Sequence, residues 1–150
     1  MKVLVSTKGR VPRAPTVTTV RRAAEAMLGA LELGESELSV LLCDDRTIHQ
    51  LNKQYRKKDK ATDVLAFALR EGELGAAAGT LLGDVVLSLA TATRQAKEAQ
   101  HTVTKEVLTL LAHGILHLVG WDHRTDAEDR RMRKEVDRLV EAASPGNRMR

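Results

Sequence analysis

Apolar and polar residues alternate with a period of two along parts of the chain, which favours β-strands. The alternation predicts strands at 2–7 and 37–43, and runs rich in Val, Leu and Phe predict two more at 62–69 and 82–89. The Gly- and Ala-rich stretch 72–79 is typical of a loop between the last two strands. The four strands together predict a small β-sheet.

Helical spacing of apolar residues predicts five helices, and the first two have recognisable boundaries. Thr16 is a suitable N-cap for the first helix, and Gly34 is a natural stop. Asp44 can cap the second helix. The inward face of the second helix would carry Ile48, Leu51 and Tyr55.

The other three helices follow the last strand. The third runs through Gln100, and the fourth, at 103–119, is apolar around most of its circumference, which indicates a buried central helix that Gly120 ends. The fifth is amphipathic, with Met132 on its apolar face. Residues 144–150 are expected to fray.

The composition is that of one soluble globular domain. The chain has 150 residues, and its mixture of strands and helices predicts one α+β domain over residues 1–150. Hydrophobic residues make up 43% and charged residues 29%, and no apolar run approaches the roughly 18 residues of a membrane span. The N-terminal sequence MKVLVSTKGR does not resemble a secretory signal. We therefore expect a cytoplasmic protein with no membrane partner.

Three of the five histidines lie within the eleven-residue segment HGILHLVGWDH. His113 and His117 are four residues apart, so a helix would aim both at one ion. Gly120 can end that helix with a sharp turn, which would return His123 to the same ion. Three imidazoles suit one Zn²⁺ and leave a fourth position for water or substrate, which is the arrangement of catalytic zinc sites.

A purely structural zinc is the alternative interpretation of this segment, and it needs a fourth protein ligand. Cys43 and Asp122 are the candidates for that ligand. Asp122 could instead orient a histidine ring or handle protons. As the only cysteine, Cys43 is more typical of a small buried hydrophobic residue. His49 and His101 have no matching partners and are expected to be ordinary surface or packing residues.

The zinc-peptidase pattern H-E-x-x-H-x-x-G-x-x-H shares this spacing of histidines and glycine. In that pattern the Glu takes the proton from the metal-bound water. Gly114 stands at the corresponding position of this chain. The sequence therefore argues against ordinary peptide hydrolysis while keeping the ligand arrangement.

A basic segment, LNKQYRKKDKATDVLAF, precedes the third predicted strand. Taken alone, its cations are typical of a solvated surface, and the chain's net charge of +4 suits a polyanion without identifying one. Beside a catalytic metal, Arg56 would offer a planar fork to a phosphate, and Lys57, Lys58 and Lys60 would follow an RNA backbone. The few aromatic residues do not indicate strong base-specific recognition. They are Tyr55, Phe67 and Trp121.

The segment 45–140 resembles the YbeY endoribonucleases of bacterial rRNA maturation. The family motif H-G-x-L-H-L-x-G-x-D-H is matched at every fixed position, and LNKQYRKKDKATDVLAF and LGDVVLS are similar to the family's L-N-x-x-y-R-x-x-d-x-x-T-D-V-L-S-F and G-D-I-x-I-S segments. Ala66, Ala68 and Trp121 replace a usual Ser, Pro and Tyr.

The resemblance implies a zincin-like α+β fold with a central metal helix, one Zn²⁺ on His113, His117 and His123, and a functional arginine at Arg56. It also implies RNA cleavage with a preference for single strands in rRNA maturation, including small-subunit rRNA 3′ end processing and ribosome quality control. Ribosome or ribosomal-protein association and a cytoplasmic location follow in the same way, with no DNA substrate expected.

The sequence thus predicts a zinc-dependent endoribonuclease in which Arg56 neutralises charge that grows on the phosphate. The general base is not assigned, since Asp84 and Asp122 are both candidates and Asp84 is equally a turn or capping residue. Two alternatives stay open. One is a non-catalytic ribosome-assembly factor with structural zinc, and the other is a metallopeptidase.

Overall fold

A computed structural model describes residues 2–68 and 81–144 of the chain. Leu69, the predicted loop 72–79 and the predicted tail from 145 lie outside the described residues. The elements in chain order are β1 (Lys2–Lys8), α1 (Val17–Ala30), β2 (Glu37–Cys43), α2 (Asp45–Arg56), β3 (Val64–Ala68), β4 (Leu81–Ser88), α3 (Leu89–Ala99), α4 (Val103–Leu118) and α5 (Asp126–Ala143). No helix within these two ranges is long and apolar enough to cross a lipid bilayer.

The four strands form a mixed sheet in the order β1-β2-β4-β3. β2 pairs in parallel with β1 and β4, whereas β3 runs antiparallel to β4. The register places Val40 between Val5 and Val85, so these three side chains share one face of the sheet. A mixed sheet packed with helices confirms the predicted α+β class.

Different helices cover the two faces of the sheet. Val40, Val85 and Leu87 belong to the main core, which they share with residues of α1, α3, α4 and α5. Leu65 and Val86 belong to a smaller apolar cluster on the opposite face, where α2 packs. Because side chains alternate along each strand, a residue's position in its strand decides whether it faces the metal-motif helix α4 or α2.

The first helix begins at its predicted cap and ends before its predicted stop. Thr16 caps α1 by accepting a hydrogen bond from the helix. The helix does not reach Gly34, because Glu32 adopts a left-handed φ of 60° and the Leu33 N–H bonds back to the Leu28 carbonyl at 2.8 Å. The stop could not be predicted from the sequence, because the residue in the left-handed region is Glu32 and not a glycine.

The second helix is capped by Asp44 as predicted, but its predicted inward face is wrong at one residue. Ile48 is buried and Leu51 is half-buried, whereas Tyr55 is 59% exposed. The Tyr55 ring packs edge to face against Phe67, with centroids 5.6 Å apart, at the rim of the smaller apolar cluster. Phe67 thus supports the tyrosine from one side and leaves much of it in solvent.

Candidate active site

The first two histidines lie on α4, the most buried helix of the described residues. Thr102 caps this helix by accepting a hydrogen bond from the Lys105 backbone N–H at 3.1 Å. His113 and His117 lie one turn apart and are half-buried, with their Nε2 atoms 3.0 Å apart. Two imidazole nitrogens at this separation can bind the same ion.

A tight turn after α4 brings the third histidine back to the first two. Gly120 has a φ of 97°, its N–H bonds to the His117 carbonyl at 3.1 Å, and the Trp121 N–H bonds to the Leu116 carbonyl at 3.0 Å. This is the Schellman pattern that ends a helix at glycine. The His123 ring centroid lies 5.5 Å from each of the other two rings, and the ligand atoms of all three histidines lie within 4.8 Å of one another.

The surroundings of His113 and His117 favour the form of each imidazole that binds metal. Burial lowers the pKa of His113, and the neighbouring His117 and His123 lower it further. Burial likewise lowers the pKa of His117, with His123 as the next cause. A neutral imidazole has a free nitrogen lone pair, whereas a protonated one has none. Three imidazoles grouped in this way fit a zinc ion.

The two candidates for a fourth ligand are engaged elsewhere. Cys43 is fully buried in the smaller apolar cluster with Val86, and burial raises the pKa of its thiol to about 12. Asp122 accepts the His123 backbone N–H at 2.7 Å and pairs with Arg124 at 2.7 Å. Among the described residues, the metal-competent group therefore consists of the three histidines alone. This grouping is the open, three-ligand kind.

Gly114 packs α4 unusually close to the sheet. A Cβ atom at this position would lie 2.8 Å from Val85 Cγ1 and 3.3 Å from Val64 Cγ2. Valine side chains have little rotamer freedom with which to move aside. A glutamate at this position, as in the zinc peptidases, would have no room in the present packing. The close packing of α4 against the sheet therefore requires a glycine at this position, and it leaves no space for a peptidase-type glutamate.

A cleft of about 690 Å³ opens beside His117. The floor of the cleft is β3, the strand at one edge of the sheet, and all five β3 residues line the cleft. His117 and Leu118 of α4 contribute to the lining, as do Asn52 and Arg56 of α2. The cleft therefore joins the histidine group to the basic segment, which are about sixty residues apart in sequence.

Arg56 is fixed in this cleft by two contacts with β3. One guanidinium nitrogen donates a hydrogen bond to the Ala66 carbonyl, and the guanidinium carbon lies 4.9 Å from the centre of the Phe67 ring. The hydrogen bond uses a strand-edge carbonyl, and the ring offers a cation–π contact. Sequence reasoning selected Arg56 but gave no indication of either partner, since both lie in a different element.

Two of the three lysines predicted to follow an RNA backbone lie in the cleft. Lys58 and Lys60 line the cleft, whereas Lys57 does not and its Nζ lies 3.5 Å from the carbonyl of Gln54. The buried Asn52 shapes this loop, because its side-chain amide donates to the Lys60 carbonyl at 3.0 Å and its own carbonyl accepts the Lys58 N–H at 3.2 Å. Sequence reasoning missed Asn52. A polar residue at an inward helix position was the available signal.

Asp84 is not brought to the histidines. It precedes Val85, which faces α4 and Gly114, so alternation directs Asp84 to the opposite face of the sheet. There it lines a second cavity together with Tyr55. Of the two candidate bases, the structure brings only Asp122 close to a histidine, through the backbone of its neighbour.

Comparisons with known proteins identify the family of the chain. The family model described as Endoribonuclease YbeY matches residues 5–144. An Endoribonuclease YbeY of Aquifex aeolicus is 45% identical over 139 residues, which cover 93% of this chain and 89% of that protein. Another, of Pelotomaculum thermopropionicum, is 43% identical over 145 residues, which cover 93% of this chain and 95% of that protein.

A solved structure also matches over nearly the whole chain. The solution structure of TM1509 from Thermotoga maritima aligns with a TM-score of 0.67 at 25% identity, and the alignment covers 98% of this chain and 92% of that one. The predicted family resemblance is confirmed by the family model and the relatives together. The chain therefore belongs to the YbeY family.

Proposed function

We propose that this protein is a metal-dependent endoribonuclease that acts preferentially on single-stranded rRNA, with one zinc ion held by His113, His117 and His123. The observation that carries the proposal is the single cleft that Arg56 and His117 share. The printed names of the relatives, Endoribonuclease YbeY, support RNA as the substrate. A metal site beside a fixed guanidinium suits phosphodiester chemistry.

The three histidines would bind the ion in their neutral form. A zinc ion with three protein ligands acts as a Lewis acid toward a phosphoryl oxygen and lowers the pKa of water. The half-buried positions of His113 and His117 favour that neutral form because burial lowers the pKa of each ring. The turn at Gly120 fixes the third ring without the cost of ordering a long loop.

Arg56 would bind the scissile phosphate and stabilise the charge that grows on it. The Ala66 carbonyl and the Phe67 ring hold the guanidinium before substrate arrives. A guanidinium has five N–H donors, so donors remain for a phosphate after the bond to Ala66. Because the group is already oriented, little reorganisation is needed as charge develops.

Lys58 and Lys60 would neutralise phosphates on either side of the cleavage point. Both line the cleft, in a loop that Asn52 holds. Contacts of this kind are independent of base sequence and weaken with salt. A single RNA strand can follow such a cleft with its bases turned out. We place this activity in cytoplasmic rRNA maturation, including small-subunit rRNA 3′ end processing and ribosome quality control, with the ribosome or ribosomal proteins as partners.

Neither alternative function is favoured by a specific observation. A metallopeptidase would need a base where Gly114 packs against Val85 and Val64. A non-catalytic assembly factor would need the zinc only to hold the fold, yet α4 is already buried by its apolar side chains. Asp122 remains the candidate proton-handling group, since it lies next to His123 and accepts the backbone N–H of that residue.

Metal removal and return tests the proposal. The full chain is stripped with a chelator and assayed on a single-stranded rRNA fragment and on the same fragment in a duplex, with circular dichroism and RNA binding measured in parallel. We expect cleavage of the single strand to disappear and to return with zinc, while folding and binding persist. Unfolding on metal removal would instead favour the structural-zinc alternative, and cleavage that persists without metal would end the proposal.

A further inference from the structure

A second cavity, of about 480 Å³, opens on the α2 side of the sheet. Tyr55 and Leu51 of α2 contribute to its lining, and Phe67, Asp84 and Val86 of the sheet do so as well. Phe67 lines both this recess and the cleft that contains Arg56 and His117. The two spaces therefore meet at one aromatic ring.

The exposed tyrosine at the rim of the recess has the form of a stacking platform. Tyr55 is 59% exposed, and its ring meets the Phe67 ring at 69° with centroids 5.6 Å apart. Among the described residues, the other large hydrophobic side chains with high exposure are Leu4 and Leu81, so an exposed aromatic ring is unusual in this chain. Stacking on such rings is how proteins hold unpaired bases.

The charges of the two spaces differ in sign. Arg56, Lys58 and Lys60 line the cleft, whereas Asp84 lines the recess together with the hydroxyl-bearing Ser39. A phosphate would be repelled by the Asp84 carboxylate, but the N–H donors of a base edge would be attracted to it. The cleft thus suits the backbone of a nucleotide, and the recess suits its base.

We propose that the recess binds the nucleobase next to the scissile phosphate, stacked on Tyr55 with its edge toward Asp84. This inference rests on the proposed RNA cleavage and adds a base-binding subsite to it. Phe67 links the two subsites, because the ring that supports Tyr55 also holds the Arg56 guanidinium. A carboxylate favours bases with N–H donors on the exposed edge, and guanine offers two adjacent ones.

The test pairs a change in the protein with a change in the substrate. The cleavage position of a single-stranded rRNA oligonucleotide is mapped first, and each neighbouring residue is then made abasic in turn. Tyr55→Ala is expected to raise the KM of the parent oligonucleotide about tenfold, within the range measured for loss of one stacked base, while kcat changes little. Tyr55→Phe is expected to behave like wild type. Leu4→Ala controls for lost exposed apolar area on the same face, since Leu4 is in register with Ser39 and Asp84.

Non-additivity then identifies the base. One abasic position should raise KM about as much as Tyr55→Ala, and combining the two should add little, because both remove the same contact. Asp84→Asn should reduce any preference for guanine at that position without changing cleavage of the abasic substrate. Additive effects at every abasic position, or an unchanged KM in Tyr55→Ala, would overturn the inference.

Failure of the proposed function would look different. Oligonucleotide binding is also measured by fluorescence anisotropy on the metal-stripped protein, which does not depend on cleavage. If wild type does not cleave RNA but binding weakens in Tyr55→Ala and at one abasic position, the base site stands and the nuclease proposal falls. If wild type cleaves RNA and binding is the same in both proteins, the nuclease proposal stands and the base site falls.

Discussion

The histidine group and the basic cleft are built in opposite ways. The three histidines come from eleven consecutive residues on one helix and its terminal turn. The cleft around Arg56 joins α2 to the edge of β3 through a hydrogen bond and a ring contact. The first region depends on local geometry, whereas the second depends on how distant elements pack. Changes to the two regions should therefore separate metal binding from substrate handling.

The largest effect is expected from His117→Ala, which removes one of the three ligands. Loss of even an outer partner of a metal ligand costs about 10- to 100-fold in affinity, so loss of a ligand itself should cost more than about 100-fold in zinc affinity. Cleavage at limiting zinc should vanish with it. Zinc titration by calorimetry checks this prediction, with His101→Ala as the control, because His101 pairs with Glu106 away from the group. Equal zinc binding by the two variants would contradict the ligand assignment.

Arg56→Ala should affect the other region alone. Removing one preorganised donor to developing charge typically lowers kcat about 100-fold or more, while zinc content should stay at the wild-type level. Arg56→Lys should recover only part of the rate, since a lysine cannot bond to the Ala66 carbonyl and present a planar fork together. Single-turnover cleavage and metal analysis provide both readouts. A variant that also loses zinc would show that the two regions are not separable.

Gly114→Ala should disturb the packing of α4, which carries two of the histidines, against the sheet. Overpacking against Val85 and Val64 costs about 1–3 kcal/mol, and the better helix propensity of alanine returns at most about 1 kcal/mol. Urea unfolding should therefore show a loss of about 1 kcal/mol.

Gly29→Ala is the matched control for Gly114→Ala, because a Cβ at Gly29 meets nothing within 4 Å. It should gain up to about 1 kcal/mol from helix propensity. If both alanines stabilised the protein, the close approach of α4 to the sheet would be wrong.

The smallest expected effect is on the pH dependence of metal binding. Burial lowers the pKa of His113 and His117 below the ordinary value of 6.5, so both rings stay neutral to lower pH than a free histidine. Protons compete with the ion only when a ring is protonated, so competition at these two rings should have its midpoint below pH 6.5 in the metal-free protein. NMR titration of the two ring signals of the metal-free protein from pH 7.5 to about 5 measures this. A midpoint at or above pH 6.5 for either ring would contradict the lowered pKa values.

The sequence alone predicted the parts of the molecule that depend on local geometry. The spacing of His113, His117 and His123 and the turn at Gly120 follow from helix periodicity and glycine's conformational freedom. The fold class and the β2 strand were predicted for the same reason, since alternation and helical spacing are local signals.

The parts that depend on packing between distant elements could not be predicted. The exposure of Tyr55, the contact of Phe67 with Arg56 and the placement of Asp84 away from the metal helix all depend on which face of the sheet α2 covers. The stop of α1 was missed for a different reason, because Glu32 occupies a backbone region in which glycine is usual.

The measurement that tests the central claim most directly is zinc K-edge X-ray absorption on the zinc-loaded full chain. Three imidazole nitrogens at about 2.0–2.1 Å and one further light donor from solvent are expected. Cys43 is the only cysteine, so a sulfur shell at about 2.3 Å could come only from that residue. A sulfur shell, or a shell closed by four protein ligands, would contradict the open three-histidine site.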